Sequence, residues 1–197
     1  EDGASQMGLE DLAMMRAVTG STVLYPSDAV STERLLREAV RTDGVVYLRS
    51  TRPATPVLYP ASERFPIGGS QVLKSSPADR VNLVAAGITL HEALAAQDAL
   101  EKAGVLVRVI DAYSVKPLDA AGISKAILAT DGKLVIAEDH YPEGGLGEAV
   151  LAALTGKVKA FRHLAVRGTP RSGTPAELLE RHGIDAKAIA AAVRELV

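Results

Sequence analysis

Two arginines, Arg49 and Arg52, flank the turn Arg49-Ser50-Thr51-Arg52 that follows a β-branched run at 45–49. Arg52 stands before Pro53, just past the carboxyl end of the expected strand. A guanidinium placed there can clamp a phosphate with two parallel hydrogen bonds. A surface salt bridge is the competing use, and the residue type alone leaves both open. Asp2 and Gln6 open what reads as the first helix. A helix start with Ser and Gln donors nearby suits an anionic or hydroxyl-rich ligand.

A second polar constellation is Glu138-Asp139-His140, at the carboxyl end of an apolar run. Open parallel sheets place ligands at such strand ends, so an acid/base or metal site is conceivable there. Neighbours in an extended segment alternate in direction, however, and three consecutive side chains cannot converge on one atom. Loop anchoring or an interface contact is the simpler role. The following Gly145-Leu146-Gly147 resembles the start of a dinucleotide fingerprint but fails it. The third glycine position is Val150, and no acidic residue lies about 20 residues further on. Those glycines are expected to allow a tight turn or the close approach of a neighbouring chain. His91 reads as an exposed or capping residue and His163 as a packed one. His182, before Gly183, sits where a cationic imidazole complements a helix carboxyl end. No Ser-His-Asp order and no H-x₃-H zinc spacing occur.

Composition excludes more than it selects. The 197 residues carry 22 Lys and Arg against 24 Asp and Glu, a formal charge of −2, which does not suggest a nucleic acid or an anionic membrane as partner. There is no cysteine, so neither a disulfide framework nor a thiolate metal site can form. No signal-peptide pattern or bilayer-length apolar run is present, and a soluble cytoplasmic protein is expected. The chain begins EDGASQ without a Met, which suggests a fragment, a split subunit or a proteolytic remnant.

The elements that must hold these residues centre on 81–113. An apolar run at 81–86, an alanine-rich helical stretch to Lys102 and a β-branched run at 105–110 make a βαβ unit. Such a unit covers both faces of its sheet, implying a three-layer α/β/α domain with a mostly parallel sheet. Thr89-Leu90-His91-Glu92 reads as a capping box opening the helix, and Gly104 as its stop. Further strands are expected at 134–138 and 160–166, and an edge strand at 71–74. Asp119, Thr174 with Glu177, and Asp185 are expected to cap later helices. Before this domain, 7–17 reads as a helix, 22–25 as a strand, a helix capped by Asp28 or Ser31 runs to about Val40, and 45–49 is a strand. Two strands are too few for an independent sheet, so this segment should complete one whose other strands lie elsewhere. Four prolines in 53–66 mark the linker. The expected division is therefore 1–64 and 65–197.

Several blocks resemble consecutive stretches of animal-type transketolases, in collinear order over essentially the whole chain. They are EDGASQMGLEDLAMMRAV, YPSDAVSTERLLREAV, VVYLRSTRP, VKPLDAAGI, AEDHYPEGGLGEAV and PRSGTPAELLERHGID. The last separates the chain from deoxyxylulose-phosphate synthases and pyruvate dehydrogenase β chains, which share the fold. The resemblance implies the end of a pyrimidine-binding (partial thiamine-diphosphate-binding) domain followed by a carboxyl-terminal domain. It implies thiamine diphosphate with Mg²⁺ or Ca²⁺, and transfer of a glycolaldehyde unit from a ketose phosphate to an aldose phosphate in the pentose phosphate pathway. By motif, Asp2 matches the aspartate that binds substrate hydroxyls, Gln6 a position beside the cofactor, and Arg52 the arginine that binds the sugar phosphate. The family's diphosphate and metal motif, its activating glutamate and its pyrimidine-stacking aromatics have no counterpart here. The resemblance thus implies substrate binding without a catalytic residue in these 197 residues, dependence on an amino-terminal portion, and a homodimer. The alternatives are a non-catalytic dimerisation or regulatory module, or part of another thiamine-dependent enzyme that acts on a 2-oxo acid or makes deoxyxylulose phosphate.

Overall fold

The computed structural model describes residues 6–197. The chain runs through α1 (Asp11–Ala17), β1 (Thr22–Leu24), α2 (Ala29–Val40) and β2 (Val46–Leu48), then has no helix or strand before β3 (Gln71–Lys74). It continues with β4 (Val81–Ala85), α3 (Ile88–Lys102), β5 (Val107–Asp111), β6 (Ser114–Lys116), α4 (Ala120–Leu128) and β7 (Lys133–Ala137). The last elements are α5 (Leu146–Ala153), β8 (Ala160–Leu164), α6 (Pro175–His182) and α7 (Ala186–Arg194).

The larger sheet has the order β3-β5-β4-β7-β8. Four of its strands are parallel and β3 is an antiparallel edge. Every residue of β4 is buried, as a strand covered on both faces requires. Val81, Leu83 and Ala85 face α3 and α7, packing with Leu90, Leu100, Ile189 and Val193. Val84 and Ala86 face the other way, toward Ile123 and Ile127 of α4 and Val150 of α5. These are the three layers expected from the βαβ unit.

The smaller sheet has the order β2-β1-β6. β1 and β2 are parallel, and β6 joins β1 antiparallel. A further strand is thus supplied from beyond the linker, by the three residues of β6, for which the sequence carries no strand pattern. The linker is not loose. Asp28 caps α2 by accepting from the Ser31 amide at 2.7 Å, and its second oxygen accepts from the amides of Leu58 and Tyr59 at 2.8 and 3.1 Å. Those bonds hold the Asp28 carboxyl below its usual range against the opposing effect of burial. Phe65 packs edge-on against both Tyr59 and Tyr113, with ring centroids 4.8 and 5.0 Å apart.

Three expectations need correction. The helix at α3 starts at Ile88 with Gly87 as its amino-terminal cap, so Thr89 is not the capping residue. The Thr89 hydroxyl instead reaches the carbonyls of Ala86 and Ala137 at 3.0 and 2.9 Å. Glu92 caps a different helix, accepting from Ala186 at the start of α7 at 2.8 Å. The helix expected from residue 7 begins at Asp11, because the preceding turn is bonded elsewhere: the Leu9 carbonyl accepts from the Tyr141 amide. The box at Thr174 and the caps at Asp28, Asp119 and Asp185 form as expected, and Ser31 completes a box with Asp28.

Gly87 shows why that start needs a glycine. Its φ is +57°, and a Cβ there would run into the ring of Tyr25. Gly87→Ala combines overpacking with a left-handed backbone and is expected to cost about 2–4 kcal/mol. Urea unfolding of the variant checks this. Adding Tyr25→Leu should recover part of the loss, and no recovery would mean that the ring is not the obstacle.

Candidate functional site

The carboxyl ends of β2, β4 and β7 converge on one polar cluster. Arg49, one residue past β2, is its centre. Its Nε lies 3.1 Å from Asp11 Oδ2, its Nη1 3.3 Å from Asp139 Oδ1, and its Nη2 donates to the Asp139 and Gly8 carbonyls at 3.0 and 3.3 Å. The guanidinium also sits over the Tyr25 ring, 4.7 Å from its centroid. Burial works against the Arg49 charge, but Asp139, Tyr25 and Asp11 outweigh it and raise the pKa. Burial raises the Tyr25 phenol well above its usual value, and the Asp139 charge adds to this. The Tyr47 phenol, desolvated and donating to Asp11 at 2.7 Å, is pushed up to about 12. Arg49 is therefore a structural anchor.

The triplet at 138–140 diverges as strand alternation demands. Glu138 accepts from the amides of Leu146 and Gly147 at 2.6 and 3.0 Å and meets His163 Nε2 at 2.5 Å. Asp139 turns to Arg49 and accepts from the Tyr25 hydroxyl at 2.9 Å. Desolvation pushes its carboxyl up against the pull of Arg49. His140 Nε2 accepts from the Ala13 amide at 3.3 Å, and its Nδ1 lies 2.5 Å from the Tyr141 carbonyl, which sets the neutral Nδ1–H tautomer. Anchoring, the simpler role, is what this geometry performs. The glycines serve it as well. A Cβ on Gly145 would meet the Glu138 carboxylate, and one on Gly147 the His163 ring. Here the close approach at both glycines comes from side chains of the same chain.

Arg52 lines a cavity of about 300 Å³ together with Met7, Gly8, Leu9, Arg49, Asp139 and the inner face of α6. The loop after β2 and residues 7–9 therefore line the same cavity. Asp2 lies outside the described residues, so its relation to Arg52 is not described. Gln6 is exposed. Most of the lining is apolar (Val166, Pro170, Pro175, Leu178, Leu179, Ile184), and its nitrogen-bearing side chains are Arg49, Arg52 and His182. His182 corrects an expectation: it also lines this cavity, where burial and then Arg181 lower its pKa, and its Nε2 is buried without a hydrogen-bond partner. The neutral ring is favoured, not the cation expected at that helix end. His91 is half-buried, with Nε2 2.7 Å from the Ser27 carbonyl.

The crevice beside β4, where the strand order reverses, is where doubly wound sheets bind ligands. Here Tyr25 occupies it, donating to Asp139 and accepting from the Ile88 amide at 3.4 Å. No signal in the sequence marked Tyr25 or Arg49 for these parts, because their partners lie far off in the chain: Ile88 and Asp139 for Tyr25, and Gly8, Asp11 and Asp139 for Arg49.

Residues 70–189 match the family model described as the transketolase carboxyl-terminal domain, and residues 1–57 match that of the transketolase pyrimidine-binding domain. The chain belongs to the transketolase family. It is 50% identical to mouse transketolase-like protein 2 and 49% identical to human transketolase, in each case over 100% of the chain and 32% of the relative. It thus spans about a third of the length of these relatives. Its fold superposes on a "split gene transketolase, inactive beta4 tetramer" with a TM-score of 0.92 and 35% identity, covering 98% of this chain and 63% of that one. A transketolase from Campylobacter jejuni, at 17% identity and a TM-score of 0.74, shares the fold; 99% of this chain covers 29% of it. This chain corresponds to a carboxyl-terminal portion of transketolase.

A buried carboxyl ties the linker beneath this site. Asp111, at the end of β5, accepts from the Tyr59 and Ser27 hydroxyls at 2.6 and 3.1 Å. Burial, aided by the Asp28 charge, pushes it up to about 7. The unfolded chain releases this proton near the ordinary carboxyl value, whereas the folded chain keeps it until about pH 7. Stability should therefore fall as pH rises through that window and then level off. Asp111→Asn should flatten this slope, and its stability relative to the parent should grow between pH 4 and 7. Urea midpoints measured across that range test this, and parallel profiles would contradict it.

Proposed function

We propose that these residues are the substrate-gripping and bracing part of a transketolase that moves a two-carbon glycolaldehyde unit from a ketose phosphate to an aldose phosphate. The observation that carries this is Arg52 lining one cavity with the chain's opening segment, just beyond the carboxyl end of β2. In this reading Arg52 holds the sugar phosphate by charge-assisted hydrogen bonds, and Asp2 takes substrate hydroxyls. Gln6 stands beside thiamine diphosphate.

The described residues do not form a cradle for that cofactor. Gln6 is a single exposed amide, and among the described residues no three His, Asp or Glu side chains are grouped to hold a metal ion. No chemical step is therefore assigned to this chain. The diphosphate and its Mg²⁺ or Ca²⁺ would be held by an amino-terminal portion, in an assembly of transketolase parts such as a homodimer. We place the division between the pyrimidine-binding part and the carboxyl-terminal domain near residues 64–65, between the two family-model matches. None of the helices is long and apolar enough to cross a membrane among the described residues; a cytoplasmic location belongs to this proposal.

A second role, as a non-catalytic brace, is favoured for the carboxyl-terminal domain by Tyr25 filling its ligand crevice. The two roles separate experimentally. The purified 197-residue chain should show no turnover by itself. Mixing it with a matching amino-terminal polypeptide, thiamine diphosphate and Mg²⁺ should restore turnover, and failure to do so would leave only the brace. In the restored enzyme, Arg52→Ala should raise KM for phosphorylated sugars by about tenfold or more, with a smaller change in kcat. An unchanged KM would remove Arg52 as the clamp.

A further inference from the structure

We propose that the cleft between α2 and linker residues 61–66 binds a small molecule carrying two or more phosphate groups. Four arginines line it: Arg34, Arg37 and Arg41 from α2, and Arg64 from the linker. On the helix they stand at i, i+3 and i+7, which places them along one face. Arg34 and Arg41 are seven residues apart, about 10 Å along the axis, further than one phosphate reaches. Arg64 faces them from the opposite wall. The cavity measures about 670 Å³, ample for such a ligand.

The charge is not spent internally. Glu38 and Glu63 share the lining and Glu33 pairs with Arg34 and Arg37 beside it, so four guanidinium groups meet three carboxylates and the cleft stays net positive in a chain whose formal charge is −2. Arg34 is fixed by a hydrogen bond from Nη2 to the Ala61 carbonyl, while its Nε is buried without a hydrogen-bond partner, 3.4 Å from Glu33. Arg37 pairs with Glu33, and Arg41 Nη1 lies 3.8 Å from Glu38. Both of these are exposed pairs, worth about 1 kcal/mol or less, which a multiply charged anion can displace. Among the described residues the Arg64 side chain has no partner; only its backbone is bonded. Like charges at 34, 37 and 41 also disfavour the helix by a few tenths of a kcal/mol per pair, a cost that a bound polyanion removes.

The test is isothermal titration of inorganic tripolyphosphate into the intact protein that carries these residues, with orthophosphate at matched ionic strength. Tripolyphosphate should bind about tenfold or more tighter than orthophosphate. The combined Arg37→Gln, Arg41→Gln, Arg64→Gln variant should weaken it about tenfold or more. Should the triple variant unfold, Arg64→Gln alone, on a loop, should weaken binding about threefold, within the smaller energy of an exposed contact. Absence of binding, equal affinity for the two anions, or an affinity that survives the arginine substitutions in a folded protein would each overturn the proposal.

Discussion

Buried hydrogen-bonding groups at helix ends must find partners, and in this chain several find them far away in sequence. α1 has no capping side chain of its own, and His140 accepts from its third amide. α5 begins at Gly145, which has no side chain to cap with, and Glu138 takes the amides of Leu146 and Gly147. Each such cap contributes about 1 kcal/mol, but leaving a buried amide or carboxylate unpaired costs more than the bond gains. Three successive residues at the end of β7 thus hold α5, the strand carrying Arg49, and α1. That one strand end sets how the smaller sheet sits on the larger.

The same constraint shapes what the chain can bind. Arg49 neutralises parts of two carboxylates, Asp11 and Asp139, and packs on the Tyr25 ring, so it cannot also serve a ligand. Removing it would leave two desolvated carboxylates, the costly way to break a buried pair. Tyr25, held by Asp139, fills the crevice at the end of β4. The larger sheet is therefore closed at the place where its topology would otherwise offer a site.

Much of this was legible in local patterns. The strand at β3, the box at Thr174 and the caps at Asp28, Asp119 and Asp185 all depend on residues within a few positions of one another. Thr89 with Glu92 satisfied the same local rule yet failed, because a carbonyl on β7 and an amide on α7 compete for those side chains and win. β6 was missed because three residues before a proline carry no periodicity; only the unpaired side of β1 makes them a strand. The place of Arg52 just past a strand end was legible. Tyr25 looked like the end of a strand, and its role exists only once Gly87 and Asp139 are beside it.

The division of labour between Arg49 and Arg52 follows from this packing. Arg49 still belongs to the β ladder, its amide bonded to the Leu24 carbonyl at 2.9 Å, so its side chain direction is set by the sheet and turned toward β7. Arg52 is three residues on, past the last ladder bond and immediately before Pro53, whose missing N–H and fixed φ keep that segment from rejoining a sheet. An anchored guanidinium followed by one at the cavity wall gives a loop whose root is fixed and whose tip faces the cavity. Below it, Asp28 grips the backbone at Leu58 and Tyr59, so the loop is tied at both ends. Tying both ends limits the conformational entropy that Arg52 would lose in the phosphate contact proposed for it.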